Sequence, residues 1–262
     1  MKNLFWCSRV HVFWKTPLEY LNTRTHEHNP PFSLFLKLHS HLENMTKYFS
    51  LIILFFTLLS CGPKEDAMRI ACVGDSITFG SGIRFRNWRS YPARLQKLVG
   101  RDFHVANFGK SGATLLEKGD LSYRVQKEYE QALSFVPEIV IIKLGTNDSK
   151  DYNWEHGKDF YQDYMSLIAA FRKELNNPRI IICKPVPVFQ DNWAISNAVV
   201  RDEIIPVIDE VVKDAKVELI DLYQPFSQKE DLFPDGVHPN AAGAAEMAEH
   251  VAKYLENNPE PK

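Results

Sequence analysis

Five short runs of mostly branched apolar residues recur along the larger, carboxyl-terminal part of the chain, at residues 69–73, 104–108, 139–144, 180–183 and 217–219. Each is close to continuously hydrophobic rather than alternating, the pattern of a strand covered on both faces, as in a parallel sheet. Each is followed by a stretch of helical spacing, near 91–99, 123–135, 159–175, 197–213 and 241–255. The third of these carries Phe160, Tyr164, Leu167, Ile168 and Phe171, at intervals of one, three and four that put all five on one helix face. Alternation of strand and helix at this spacing predicts a doubly wound α/β sandwich. In such folds ligands bind beyond the carboxyl ends of the strands, so the chemistry is to be sought in the loop after each strand.

The first 60 residues read differently. Residues 49–59 are apolar apart from Ser50 and Thr57. That is short of the roughly 20 residues a membrane-spanning helix needs, but it has the length of a signal-peptide core. Lys47 supplies the positive flank before it, and Leu58-Leu59-Ser60-Cys61 closes it. This tetrapeptide resembles the bacterial lipobox, whose cysteine is lipidated and becomes the first residue after cleavage. Several acyl chains hold a membrane firmly where one is marginal, so a lipidated Cys61 is expected to be a stable anchor. Residues 1–44, ahead of Met45, read as an upstream over-extension of the frame. Residues 45–60 read as a lipoprotein signal peptide, 61–67 as a tether, 68–256 as the folded domain and 257–262 as a tail. The expected location is the bacterial cell envelope, lipid-anchored and facing either the periplasm or the cell surface. Lys64-Glu65-Asp66 is similar to an export signal that carries some lipoproteins to the cell surface.

Composition narrows the function classes. The chain has 262 residues, 45% apolar and 24% charged, an ordinary globular mix. Its net charge is −2. Without the first 60 residues 25 basic residues face 30 acidic ones, a net of −5. Lys and Arg read as scattered, with none of the basic stripe a phosphate backbone requires, so nucleic acid is not an expected partner. Cys72 and Cys183 fall inside apolar runs and are expected to be buried free thiols.

Four segments that follow strands carry chemistry. Gly74-Asp75-Ser76 presents a serine on a turn at the sheet rim, with backbone N–H groups nearby to donate to a developing oxyanion. Asn107-Phe108-Gly109-Lys110-Ser111-Gly112 offers glycines that let a backbone N–H face a cleft. Gly145-Thr146-Asn147-Asp148 offers the Asn147 amide as a neutral donor. Asp235-Gly236-Val237-His238 precedes the last helix, and an Asp three residues before a His on a tight turn can orient the imidazole. Taken singly each segment also reads as a capped or glycine-bearing loop; the four together do not.

At this point the sequence resembles the SGNH (also called GDSL) hydrolase superfamily over roughly residues 68–256. Gly74-Asp75-Ser76 matches its nucleophile block, Gly112 its second, Gly145-x-Asn147-Asp148 its third and Asp235-x-x-His238 its last, in the family order. The resemblance implies a flavodoxin-like three-layer α/β/α sandwich with a five-stranded parallel sheet, and a carboxylic ester hydrolase with no metal or organic cofactor. It implies Ser76 as nucleophile, His238 as general base and then acid, and Asp235 as the orienting carboxylate. It also implies an oxyanion hole formed by the N–H groups of Ser76 and Gly112 with the Asn147 side chain. The Gly-x-Ser-x-Gly elbow of ordinary α/β-hydrolases is absent. Gly80-Ser81-Gly82 is followed by Phe85 where a dinucleotide fingerprint needs glycine.

Trp88, Trp154 and Trp193 follow the first, third and fourth strands, at the expected ligand edge, and are read as substrate-binding rings for a sugar face. The stretch 184–193 is similar to bacterial lipoproteins described as sialate or carbohydrate O-acetylesterases. The expected function is therefore hydrolysis of O-acyl esters of carbohydrates, O-acetyl first among them, on a small-molecule or glycan substrate. The alternatives are a lysophospholipase or thioesterase of the same superfamily, or a non-catalytic glycan-binding lipoprotein.

Overall fold

The computed structural model describes residues 62–259, together with His41, Met45, Lys47, Tyr48 and Phe49. Cys61, the proposed signal-peptide core, the rest of residues 1–60 and the last three residues lie outside the described set. Five strands, β1 Met68–Gly74, β2 Phe103–Gly109, β3 Ile139–Lys143, β4 Arg179–Cys183 and β5 Glu218–Ile220, form one parallel sheet in the order β2-β1-β3-β4-β5. The helices that matter here are α1 Ser76–Phe79, α2 Tyr91–Val99, α3 Lys127–Ser134, α4 Phe160–Glu174, α5 Ile205–Ala215 and α6 Ala241–Asn257.

Strand side chains alternate between two cores, as a sheet covered on both faces requires. Ala71, Val73, Val140, Ile142, Ile180 and Ile182 face the apolar sides of α3, α4 and α5. Ile70, Cys72, Ile139, Ile141, Ile181 and Cys183 face α2 and α6. All five predicted apolar residues of α4, Phe160 to Phe171, are buried. Cys72 and Cys183 are buried free thiols, and desolvation pushes the Cys72 thiol up to about 12.

One predicted helix is broken and a second changes pitch over one turn, each for a local reason. The stretch near 123–135 is a 3₁₀ turn, Tyr123–Val125, and then α3, because Gln126 between them is extended at φ −90°, ψ 150°. The stretch near 197–213 is helical throughout, an α-turn, Asn197–Val199, a π-turn, Val200–Ile204, and then α5. Pro206 lacks the N–H that would bond back four residues, so the ladder widens just before it.

This topology decides where a site can form. The chain runs from β1 outward to β2 and then crosses to β3 on the other side of β1, so the connections diverge at the β1/β3 border. In an order of this kind ligands bind at that border, beyond the carboxyl ends. The three strand ends are level: Gly74 pairs with Gly109 on one side and Lys143 on the other. A Cβ on Gly74 would sit 2.1 Å from the Thr78 Oγ1 and 2.6 Å from the Lys143 carbonyl, so only glycine lets β1, β3 and α1 meet this closely.

Candidate active site

Ser76 is the first residue of α1 and is 5% exposed, so its hydroxyl reaches a surface from a buried turn. The turn is set by Asp75, whose Oδ1 accepts from the Ile77 N–H at 2.9 Å and caps the helix. Beneath it lies a fully buried ion pair: Lys143 Nζ is 3.0 Å from Asp75 Oδ2 and also donates to the Thr146 hydroxyl at 2.9 Å. Burial lowers the Lys143 pKa, and the Asp75 carboxylate beside it works in the other direction. Lys143 therefore ties the serine turn to the turn that carries Asn147.

The imidazole arrives from the other end of the domain, on the turn before α6. Asp235 Oδ1 accepts from the Val237 N–H at 2.9 Å and the His238 N–H at 2.6 Å, and its Oδ2 lies 2.9 Å from His238 Nδ1. His238 Nε2 lies 2.8 Å from the Ser76 hydroxyl, across 162 residues of sequence. An ionised carboxylate only accepts, so Nδ1 carries the proton and donates to Asp235, leaving the Nε2 lone pair for the serine O–H. Partial burial pushes the Asp235 carboxyl up. The two backbone N–H groups and the imidazole outweigh it, so its pKa sits below the usual carboxylate range. The turn is held in place from the side: the Asn192 amide donates to the Asp235 carbonyl at 2.6 Å, and the Phe189 N–H to the Gly236 carbonyl at 2.7 Å. Val237 is fully buried against Val188, Ile195 and Val200.

The donors expected for an oxyanion lie on segments that hydrogen bonds tie together, the Ser81 hydroxyl to that of Ser111 at 3.1 Å and the Asn147 amide to the Ala113 carbonyl at 3.0 Å. Among the described residues the N–H groups of Ser76 and Gly112 have no protein acceptor. Gly112 sits at φ +84°, a conformation costly for residues with a side chain. Asn147 is 4% exposed; one of its amide N–H groups donates to the Ala113 carbonyl at 3.0 Å, which leaves the other free. Asp148 holds the Gly112 loop from behind, accepting from the N–H groups of Leu115 at 3.1 Å and Leu116 at 2.8 Å. Complete desolvation raises the Asp148 carboxyl to about 7, against the pull of those N–H groups. The arrangement can deprotonate a serine hydroxyl and receive a negatively charged oxygen beside it.

Of the three tryptophans, the structure brings Trp193 against the triad: its ring centroid is 5.3 Å from that of His238, edge to face at 61°. Trp193 is 57% exposed and left-handed at φ 56°, ψ 32°, followed by Ala194 at φ 60°. Trp154 is half-buried against Phe160, and its indole N–H donates to Glu203 at 2.6 Å, so its polar group is already used by the protein. Trp88 is 70% exposed and sits on the turn Arg86–Arg89, beside Phe85, Arg89, Arg94 and Lys97. Sequence reasoning missed Lys143 and Asn192, and named Asp148 in the third motif segment without giving it a role. Lys143 had a signal, a charge inside the apolar run of β3, which must find a buried partner; Asn192 had none, because its role is a tertiary contact.

A parallel α/β/α sandwich with a Ser–His–Asp chain at its carboxyl edge is the architecture of a serine hydrolase. Residues 72–246 match the GDSL-like lipase/acylhydrolase family. The chain belongs to this family of carboxylic ester hydrolases. An acetylxylan esterase from Xylanibacter ruminicola is 43% identical over 211 residues, which are 74% of this chain and 44% of that protein. The chain thus spans less than half the length of that relative. The structure of an aryl esterase from M. smegmatis superposes with a TM-score of 0.59 at 21% identity, covering 73% of this chain and 99% of that one. A carbohydrate acetylesterase from Sinorhizobium meliloti gives a TM-score of 0.55 at 16% identity, covering 72% and 99%. At these identities the two structures establish a shared fold.

Proposed function

We propose that this chain is a serine esterase that removes O-acyl groups, O-acetyl first among them, from carbohydrate hydroxyls through an acyl-serine intermediate. The observation that carries the reading is the unbroken relay from Asp235 through His238 to the Ser76 hydroxyl, at 2.9 and 2.8 Å. Ser76 Oγ attacks the ester carbonyl carbon as its proton passes to His238 Nε2. The carbonyl oxygen becomes an anion among the N–H groups of Ser76 and Gly112 and the Asn147 amide. His238 returns the proton to the sugar oxygen, which leaves as the alcohol. Water then attacks the acyl-serine with the same base, releasing the carboxylic acid and restoring Ser76.

The preference for acetylated carbohydrate rests on the 43% identity to the Xylanibacter ruminicola acetylxylan esterase and on the exposed ring of Trp193 beside the imidazole. The test compares p-nitrophenyl acetate with p-nitrophenyl decanoate and measures acetate released from acetylated xylan. Faster decanoate turnover with no acetate from xylan overturns the substrate class; hydrolysis unchanged in Ser76→Ala overturns the mechanism.

The proposal extends to the cell envelope, with Cys61 as the lipid anchor. The chain just after it is bound at the amino-terminal edge of the sheet. Arg101 Nε donates to the Gly62 carbonyl at 2.9 Å, and the Lys64 N–H donates to the Arg101 carbonyl at 2.9 Å. Ser76 lies at the opposite, carboxyl edge, so an anchor at Cys61 would turn the site away from the lipid. Detergent-phase partitioning that is lost in Cys61→Ala supports this; partitioning kept by that variant refutes it.

A further inference from the structure

From Ser76 to Arg101 the chain contains no Asp or Glu, yet it carries Arg84, Arg86, Arg89, Arg94, Lys97 and Arg101. In a domain with a net excess of acid, this concentration corrects the reading of Lys and Arg as scattered. The fold gathers most of it in one place. Phe85, Trp88, Arg89, Arg94 and Lys97 line one shallow hollow of about 410 Å³. Arg84 lies over the Phe85 ring at 4.8 Å, and Arg86 over the Phe79 ring at 3.8 Å.

Two features separate this surface from an ordinary solvated one. First, among the described residues none of Arg84, Arg86, Arg89, Arg94 and Lys97 forms an ion pair, and the Arg94 Nε is buried with no acceptor. Many cations elsewhere on the domain are matched, as Arg69 is with Glu138, Arg124 with Glu117 and Lys184 with Asp209, whereas here five neighbouring cations in a row are not. Second, two large rings stand outward between the charges, Phe85 at 64% and Trp88 at 70% exposure. Phe85 is held so in a left-handed conformation, φ 59° and ψ 45°, which a residue with a side chain seldom adopts.

The strip starts at the nucleophile. The N–H groups of Gly80 and Ser81 both donate to the Ser76 carbonyl at 2.9 Å, and the Ser81 hydroxyl is 3.1 Å from that of Ser111 on the Gly112 loop. A polymer with one ester at Ser76 can therefore lay further units along residues 84–97. Exposed rings suit the flat faces of sugars, and guanidinium forks suit carboxylates. We infer that residues 84–97 form a docking strip for a carboxylate-bearing polysaccharide, one whose chain carries uronic acid units, with Trp88 and Phe85 as sugar platforms and Arg84, Arg89, Arg94 and Lys97 as carboxylate partners. The inference rests on the esterase reading for its biological sense but not for its measurement.

The experiment is affinity gel electrophoresis of the full chain in gels holding polygalacturonate, with hydroxyethyl cellulose as the neutral control. Polygalacturonate carries no ester, so retention reports docking apart from catalysis. Wild type and Ser76→Ala are expected to be retarded alike by polygalacturonate and not by the neutral polymer. The effect should fade as salt rises to about 0.3 M and exposed charges are screened. Arg84→Gln/Arg89→Gln/Lys97→Gln and, separately, Phe85→Ala are expected to weaken retention at least tenfold, with turnover of p-nitrophenyl acetate unchanged. Equal retention of wild type and the triple variant overturns the proposal, and so does equal retention by both polymers. Strip-dependent binding to phosphatidylglycerol vesicles or single-stranded DNA, with none to polygalacturonate, also overturns it. A chain that hydrolyses no ester yet is retained in this pattern refutes the esterase reading and leaves the docking strip standing.

Discussion

Replacing Asp235 with Asn changes one atom of the relay, and the structure dictates which way the new side chain must face. Oδ1 accepts two backbone N–H groups, from Val237 and His238, while Oδ2 faces the imidazole Nδ1. An amide has only one oxygen. Turning its NH₂ toward the two N–H donors would lose both bonds, and each N–H left without an acceptor costs roughly 1–3 kcal/mol where burial is complete. The oxygen therefore keeps the Oδ1 position and the NH₂ donates to Nδ1. A neutral imidazole that accepts at Nδ1 carries its proton on Nε2, pointed at the Ser76 hydroxyl 2.8 Å away. The serine then has no base. The expected loss is about 10⁴-fold in kcat, equivalent to about 5.5 kcal/mol of barrier. Both backbone bonds survive, so the thermal midpoint should stay within about 3 °C, roughly 1 kcal/mol for a domain of this size. The assays are p-nitrophenyl acetate turnover and the rate of Ser76 labelling by a fluorophosphonate, beside a circular-dichroism melt. A variant that keeps kcat within tenfold of wild type with an unshifted melt would refute the tautomer argument.

Further expectations concern the groups around the relay. Asn147→Ala should lower kcat about 100- to 1,000-fold with the fold intact; a loss confined to KM would show that Asn147 binds substrate without stabilising the oxyanion. Lys143→Met leaves a fully buried Asp75 unpaired, which should cost about 3–5 kcal/mol and lower the thermal midpoint by about 10 °C. The double variant with Asp75→Asn should recover most of that loss, and equal midpoints for single and double variants would disprove the coupling. Asp148 has a folded-state pKa near 7, above the roughly 3.9 of a free Asp. The folded protein thus holds this proton where the unfolded chain has lost it, so stability falls as pH rises from about 4 to about 7, by up to about 4 kcal/mol. Asp148→Asn should remove that slope in urea titrations while loosening the Gly112 loop, since one of the Leu115 and Leu116 N–H groups loses its acceptor. Asp235 behaves oppositely. Its lowered pKa contributes stability that is complete above the free-Asp value and is lost as pH falls through the lower folded value, which an acid melt of Asp235→Ala against wild type reads directly.

Strands and helices were legible along the chain because parallel strands buried on both faces leave unbroken apolar runs, and because one-sided burial of a helix writes a spacing of three and four. The run 139–144 and the stretch 159–175 became β3 and α4 within one residue at each end. Where the reading failed, a single residue overrode the pattern: Gln126 stands extended between two helical segments. The helix over 197–213 formed as expected, with one turn widened where Pro206 withholds its N–H. The four motif segments were legible as well, since Gly74, Gly112 and Gly145 mark turns after strands and the residues beside them are chemically distinctive.

Local sequence determines what each segment can offer, because propensity, turn chemistry and hydrophobic period act over a few residues. It could not decide that Ser76 and His238 meet at 2.8 Å across 162 positions, because that distance follows from the strand order β2-β1-β3-β4-β5 and the packing of α6. Nor could it separate three tryptophans that look alike in sequence. Trp193 lies on the imidazole, Trp154 is bonded to Glu203, and Trp88 stands among unpaired arginines, three surroundings made by residues far apart in the chain. Long-range contacts are set by the packing of whole elements, and that sum of many weak interactions appears only once the chain is folded.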